Sequence, residues 1–491
     1  MRNSRGPLRF LRIAGLAAVL FIPFVVVGCG WTPADHDAWR ADLASLEDYL
    51  SATYANADDL IVAHGLKPSV LHDEALKAID EGWSNRACRQ ALQHLINAFP
   101  DGHLRLESPP AWFATWFAEE AEPDVEAFAA SFAEGSASRG LPFSEHVTTQ
   151  DLPHAASAEF PLALATFANG RRLAILRIHS FGVEHHGRAA KEALARYHAL
   201  ATGAPGSPED LYWQCFMEAI LARLALAVDA VHAAAPDALL MDLTGNGGGT
   251  DWVDGAARLF SERRLTSPAF QPIRHAHWLE RARHELAEIE ALRDRLPDGD
   301  RLRVWLERVR ARAAKRLEQI ATPPDRRGLW RGEAVEPLLA LGRICEPVWL
   351  AKLTTQEIAA LAPIHGILGL ADPNEAARAP WTGRLFLAMD GETASASEQF
   401  MAMLADGADA QIVGTRSYGA GAGYTRGGVV HVLPHSGLIV RAPDLARRRS
   451  DDSNEVLGLQ PTLEAGILPA DGSSTRAQKI LAAVEAALEG V

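Results

Sequence analysis

Apolar and polar positions repeat with different periods along this chain. From about Asp35 to Phe99 the period is helical, as in Trp39-x-x-Asp-Leu43-x-x-Leu46-x-x-Tyr49-Leu50, where residues three and four apart share a face. Pro100-Asp101-Gly102 breaks that pattern, and His103-Leu-Arg-Leu106 alternates as a strand does. A Pro-, Ala- and Ser-rich stretch follows and reads as loops with short helices. Regular structure resumes at Leu173-Ala-Ile-Leu-Arg-Ile178, a strand running into Ser180-Phe181-Gly182. A long helix is expected from about Leu211 to Ala235, stopped by Pro236. Ala238-Leu-Leu-Met-Asp242 is a near-continuous apolar strand of the kind that parallel sheets bury on both faces.

From His275 to Ile320 two charge-laced helical runs flank the turn Pro297-Asp-Gly-Asp300. Trp278, Leu279, Leu286, Ile289, Trp305, Leu306 and Leu317 supply their apolar stripe. This predicts a helical hairpin inserted between two α/β segments, either a solvated structural arm or a lid or docking element. Beyond it, the apolar run Arg384-Leu-Phe-Leu-Ala-Met389 reads as a buried strand, and a helix opens near Ser395 and runs to about Leu404. Gln411 to Gly414 is a further strand, Val429 to Val440 a β-hairpin turning at Pro434 to Gly437, and Ser474 to Leu488 a terminal helix.

Composition changes this picture little: 48% hydrophobic and 22% charged residues over 491 positions describe a globular chain with room for two or three domains. A formal charge of −14 argues against a nucleic-acid-binding surface. The N-terminus does change the picture. Arg2, Arg5, Arg9 and Arg12 precede an apolar run from Ile13 to Val27, which suits a secretory signal and is short for a membrane span. It ends Val26-Val27-Gly28-Cys29, which resembles a bacterial lipobox. That resemblance implies lipidation at Cys29, a membrane anchor and a cell-envelope location. An uncleaved anchor helix or a plain signal peptide is the alternative, and either also puts the folded part outside the cytoplasm. For the lipidated chain the outer membrane is the default, because Gly30 follows the cysteine. Cys88, Cys215 and Cys345 are too widely spaced for a metal site, and their odd number leaves at least one free thiol.

Four segments could carry chemistry. In Asp390-Gly-Glu-Thr-Ala-Ser395-Ala-Ser-Glu398 a serine stands where a strand turns into a helix, beside unpaired backbone N–H groups. The same residues fit a capping box, with Ser395 at the N-cap and Glu398 at the third helical position. Asp242-Leu-Thr-Gly245-Asn246-Gly247-Gly248-Gly249-Thr250 lets the backbone approach a ligand closely and aim N–H groups at negative charge, or is simply a tight turn. It lacks the Gly-Lys-Ser/Thr of a phosphate-binding loop. His103 follows Asp101-Gly102 at the mouth of a strand, and Glu455 lies in a polar loop, Asn454-Glu455-Val-Leu-Gly458-Leu-Gln-Pro461.

Together these segments resemble the tail-specific, or C-terminal processing, serine proteases, a family that includes the tricorn core protease and the retinoid-binding photoreceptor repeats. The resemblance runs from about Asp37 to Pro461, interrupted by the helical insertion. It implies an α/β fold: a ClpP/crotonase-like core with a helical N-terminal domain and an inserted helical hairpin. Members with a Ser/Lys dyad place a lysine about 25 residues after the nucleophile, where this chain has Ala420; its one lysine after Ser395 is Lys479. The tricorn-type branch uses His, Ser and Glu, and His103, Ser395 and Glu455 match those positions. That branch has a serine beside its histidine where this chain has Gly102, and no segment resembles a PDZ domain.

The implied organisation is a signal with lipobox (1–29), a helical domain (30–100), a first part of the protease core (101–265), the insertion (266–345) and the rest of the core (346–491). The implied function is hydrolysis of peptide bonds in proteins or peptides by Ser395, His103 and Glu455. The oxyanion would be held by the N–H groups of Gly248 and Ala396, with Gly247 and Gly249 as alternates, and with no metal or cofactor. A non-catalytic ligand- or protein-binding module on the same fold is the alternative.

Overall fold

The computed structural model describes residues 33–108, 140–200, 208–249, 252–263, 265–369, 379–425 and 428–490. The expected lipidation site, Cys29, lies outside them. Four helices come first: α1 (His36–Thr53), α2 (Ala57–His64), α3 (Pro68–Asp80) and α4 (Asn85–Asn97). Asp35 and Ser84 cap α1 and α4 by accepting the N–H groups of Ala38 and Ala87. Trp39, Leu43, Leu46 and Leu50 face inward on α1 and meet Leu92, Leu95 and Ile96 of α4 in one cluster.

The strands are β1 (Arg105–Glu107), β2 (Thr148–Asp151), β3 (Leu162–Thr166), β4 (Arg172–Arg177), β5 (Ala238–Asp242), β6 (Ala269–Pro272), β7 (Arg384–Met389), β8 (Gln411–Gly414), β9 (His431–Val432), β10 (Ile439–Arg441) and β11 (Leu445–Arg448). A six-stranded sheet has the order β2-β3-β4-β5-β7-β8. Its β4, β5, β7 and β8 run parallel, and β2 and β3 are antiparallel additions at one edge. β2 and β3 lie in the stretch expected to hold only loops and short helices. Their alanines and polar residues carry little strand signal, and pairing onto β4 decides their conformation.

Further helices are α5 (Gly187–Leu200), α6 (Pro208–Ala234), α7 (Val253–Arg258), α8 (Leu279–Asp294), α9 (Arg301–Ala321), α10 (Ala396–Ala408) and α11 (Ser473–Glu489). The sheet is covered on both faces, which explains its unbroken apolar strands. Leu239 and Met241 of β5 pack with Phe216 and Phe400 of the flanking helices, while Ala238 and Leu240 pack with Ile480 and Val484 of α11. Cys88, Cys215 and Cys345 are buried free thiols.

The hairpin β9–β10 pairs with β1, and β6 pairs with β11. The insertion forms the expected hairpin, α8 against α9, with a cluster of its own around Ile289, Trp305 and Leu306. Its base is not peripheral. Trp278 is buried and donates its Nε1–H to the Asp444 carbonyl at 3.0 Å, and Trp330, beyond α9, donates to Ser51 of α1 at 2.9 Å. Among the described residues no helix is long and apolar enough to cross a membrane.

Candidate active site

Parallel strands β5 and β7 are neighbours, with Asp242 level with Ala388. The loops leaving their carboxyl ends therefore lie side by side, at the edge where open parallel sheets place their ligands. Hydrogen bonds brace the first loop from within and tie it to the second. Asp242 accepts from Arg177 at 2.7 Å and from the N–H and hydroxyl of Thr244. Asp390 accepts from Gly245 N–H at 2.9 Å, and the Asn246 carbonyl accepts from Ala394 N–H at 3.0 Å.

Ser395 is the N-cap residue of α10, with φ 55° and ψ −115°. For a residue with a β-carbon this region costs about 1–3 kcal/mol and persists only where the surroundings enforce it. Two charged groups enforce it here. Glu398, buried within α10, accepts the Ser395 N–H at 2.8 Å. Arg447 of β11 donates its Nη2–H to the Ser395 carbonyl at 2.7 Å. The capping-box pairing of Ser395 with Glu398 is thus present, and it belongs to the machinery that bends the backbone at the serine.

Gly248 lies against this turn. A β-carbon there would stand 2.7 Å from the Ala394 carbonyl, 2.8 Å from Ala396 N and 2.8 Å from Ser395 Cβ, and its φ of +97° is left-handed. Glycine is required on both counts. The Gly248 N–H, expected to face an oxyanion, instead donates to Asn246 Oδ1 at 3.0 Å. Its carbonyl accepts from Phe181 N–H at 2.9 Å. Ala396 N–H has no acceptor among the described residues and points from the first position of the helix.

His103 leaves the helical region by a loop whose Asp101 accepts the His103 N–H at 2.9 Å. Asp101 also accepts from Tyr54 and Asn56, and burial raises its carboxyl above the usual range despite these donors. His103 Nδ1 lies 3.0 Å from the Ala420 carbonyl. A carbonyl can only accept, so Nδ1 carries the proton and Nε2 is left as the acceptor. Gly423, where a β-carbon would stand 3.3 Å from Nε2, keeps that side open. Tyr418 fills the space beside Gly102, its Cε1 2.6 Å from where a β-carbon would be; a serine there would displace the ring.

The structure does not bring Glu455 to His103. Its carboxylate is buried and pairs with Arg447 Nε, while the other oxygen has no partner among the described residues. Burial pushes this carboxyl up to about 7, against the pull of Arg447. The expectation that Glu455 orients the imidazole is therefore corrected: a backbone carbonyl does so, and Glu455 acts on Arg447. What links histidine to serine is Glu398, which accepts the N–H groups of Gly419 at 2.9 Å and Ala420 at 3.0 Å as well as that of Ser395.

Ser395, Ala396, Gly249 and His103 open on one cavity of about 710 Å³, large enough for several amino-acid residues. Arg281, Glu285 and Arg316 of the helical insertion also line it. Arg316 is bound to Glu285 at 3.0 Å and to the Leu341 carbonyl at 2.9 Å. The inserted arm is thus part of the site. Arg447 and Gln399 went unread in the sequence. Arg447 stands in an Arg447-Arg448-Arg449 run, and nothing local separates it from Arg448 and Arg449, which pair with Asp59 and Asp406.

The model of peptidase family S41 matches residues 216–464. A crystal structure of mature CPAF is 14% identical, over 92% of this chain and 96% of that one, with a TM-score of 0.52. Mature CPAF complexed with lactacystin is also 14% identical, over 93% and 97%, at 0.52. The photosystem II D1 C-terminal processing protease is 12% identical, over 90% and 99%, at 0.34. No curated protein matches the sequence. The chain belongs to peptidase family S41 and is a serine-type peptidase, with the α/β core and helical N-terminal region that its sequence led one to expect.

Proposed function

We propose that this S41 peptidase cleaves its peptide or protein substrate with Ser395 as nucleophile and His103 as general base, in the cell envelope. The observation that carries the reading is the convergence on one cavity of a serine on a strained strand-to-helix turn and a histidine whose Nδ1 is held by a carbonyl. Ser395 Oγ bonds to the scissile carbonyl carbon as its proton passes to His103 Nε2. The carbonyl π electrons move onto oxygen, where Ala396 N–H and the Gly247–Gly249 loop stabilise the charge. As the C–N bond breaks, His103 returns the proton to the leaving amine. Water then attacks the acyl-enzyme, giving its proton to His103, which passes it back to Ser395 Oγ. Glu455 supports the set from behind, through Arg447.

A fluorophosphonate probe should label the purified mature protein and leave Ser395→Ala unlabelled. His103→Ala should cost orders of magnitude in turnover, and the double variant little more, because members of one catalytic unit are not additive. Full turnover by His103→Ala, or labelling of Ser395→Ala, overturns the assignment of these residues. A wild-type protein that neither reacts with the probe nor hydrolyses peptides returns the binding-module reading.

The envelope placement rests on the basic, apolar N-terminus and the Val26-Val27-Gly28-Cys29 segment. Mass spectrometry of the membrane fraction should find a mature chain starting at acylated Cys29. An intact Met1, or a mature start beyond Cys29, overturns it.

A further inference from the structure

We infer that Arg447 is a positioning residue that sets the register between the proposed nucleophile and its base. The inference rests on the reading of Ser395 and His103 given above. Arg447 lies on β11, outside the segments that the sequence marked for chemistry. It is buried beside the serine, yet it lines the catalytic cavity. Its guanidinium uses four donors in one plane. Nε–H goes to Glu455, Nη1–H to Gln399 Oε1 at 2.6 Å, and the two Nη2–H groups to the carbonyls of Ser395 at 2.7 Å and Gly421 at 3.0 Å.

Those two carbonyls belong to the two halves of the site. The Ser395 carbonyl leaves the strained residue itself. The Gly421 carbonyl follows directly on Ala420, whose own carbonyl holds His103 Nδ1. One rigid fork therefore spans the backbone of the serine and the backbone that aims the imidazole. Glu398 makes the matching connection on the N–H side, accepting from Ser395 and Ala420. The Ser395 backbone is held at its N–H by Glu398 and at its carbonyl by Arg447, and the reacting hydroxyl takes part in neither bond.

Arginine suits this place because its donors are planar and fixed; a lysine ammonium offers a point charge that cannot reach both carbonyls and Gln399 together. Glu455 supplies the acceptor that keeps the guanidinium Nε–H seated, and Gln399 extends the network to Asp254, which accepts its side-chain N–H at 2.6 Å.

The test compares Arg447→Ala and Arg447→Lys with the full-length mature protein, reading fluorophosphonate labelling rate, kcat and KM. Both variants are expected to lose about a hundredfold in kcat and labelling rate, as a misplacement of about 1 Å does, while KM changes less than about threefold. Because the vacated space opens on the cavity, millimolar guanidinium ion should restore part of the labelling rate of Arg447→Ala and none in Ser395→Ala. A labelling rate within about threefold of wild type in both variants overturns the inference. So does a loss that guanidinium leaves untouched in a variant with the wild-type unfolding midpoint. Should Arg447→Ala fail to fold, Arg447→Lys decides: wild-type kcat there overturns it. Labelling that persists in Ser395→Ala is a separate result, which removes the nucleophile assignment itself.

Discussion

The serine and the histidine reach their common cavity by unlike routes. Ser395 follows a buried parallel strand, and the motif that turns it is near in sequence, with Asp390 and Thr393 before it and Glu398 after it, while Gly248 and Arg447 brace it from afar. His103 lies in a loop between the helical region and a small sheet, and the carbonyl that orients it is 317 residues away. One half of the site is built by a local motif on a strand end. The other exists only when distant segments meet. Local construction makes the corner of the proposed nucleophile recognisable, whereas assembly from afar lets the proposed base be aimed by groups whose identity hardly matters, since any residue carries a carbonyl.

The largest effect that separates the two halves is expected at Gly248. Alanine there would need a left-handed φ and would press on Ala394, Ser395 and Ala396. Gly248→Ala should lower kcat by about 10²–10³-fold, the scale for a damaged oxyanion site. Gly247→Ala, where a β-carbon meets nothing within 4 Å, should leave kcat within about threefold. Equal losses in the two variants would mean that the loop is not shaped around the serine.

A smaller effect is expected where the halves are joined. Glu398 accepts four hydrogen bonds, from the N–H groups of Ser395, Gly419 and Ala420 and from the Ser417 hydroxyl. Glu398→Gln presents an N–H2 in place of one acceptor oxygen, so at least one of the four is lost. Hydrogen bonds to a charged group contribute about 1.5–3 kcal/mol, which converts to roughly a ten- to hundredfold loss in kcat. If Glu398 couples serine to histidine, Glu398→Gln should add much less to His103→Ala than to the wild type. Strict additivity would confine its role to the serine side.

This contrast also explains what could be read in advance. The strands Ala238–Asp242 and Arg384–Met389 stood out because burial on both faces demands an unbroken apolar run. The helical hairpin stood out because its stripe repeats at helical spacing. Ser395, His103 and the glycine loop were legible as local motifs. The partner of the imidazole was not, because a backbone carbonyl has no residue code. Glu455 was assigned to the histidine by resemblance, and Arg447, its true partner, lies eight residues earlier among three identical side chains. The arm's share in the cavity was equally hidden, since Arg281, Glu285 and Arg316 read as parts of a solvated helix face.

The mildest effect on turnover is expected at Glu455, because it touches neither serine nor histidine, and its signature should appear in stability instead. Burial raises its carboxyl to about 7 in the folded protein, against about 4.3 for an unperturbed glutamate. Between these values the folded chain keeps a proton that the unfolded chain releases. The folded state binds more protons there, so this group makes stability fall as pH rises from about 4.3 to 7, with no further change above. The slope for one proton is at most about 1.4 kcal/mol per pH unit. Glutamine resembles the protonated carboxyl and does not titrate. Glu455→Gln should therefore match the wild type most closely at or below about pH 4.3, and the wild type should lose stability relative to it from there up to about pH 7, as followed by chemical unfolding at each pH. Parallel curves for the two proteins would show that Arg447 keeps Glu455 ionised throughout. The pair would then be a permanent ion pair behind the serine, with burial the weaker influence on its carboxylate.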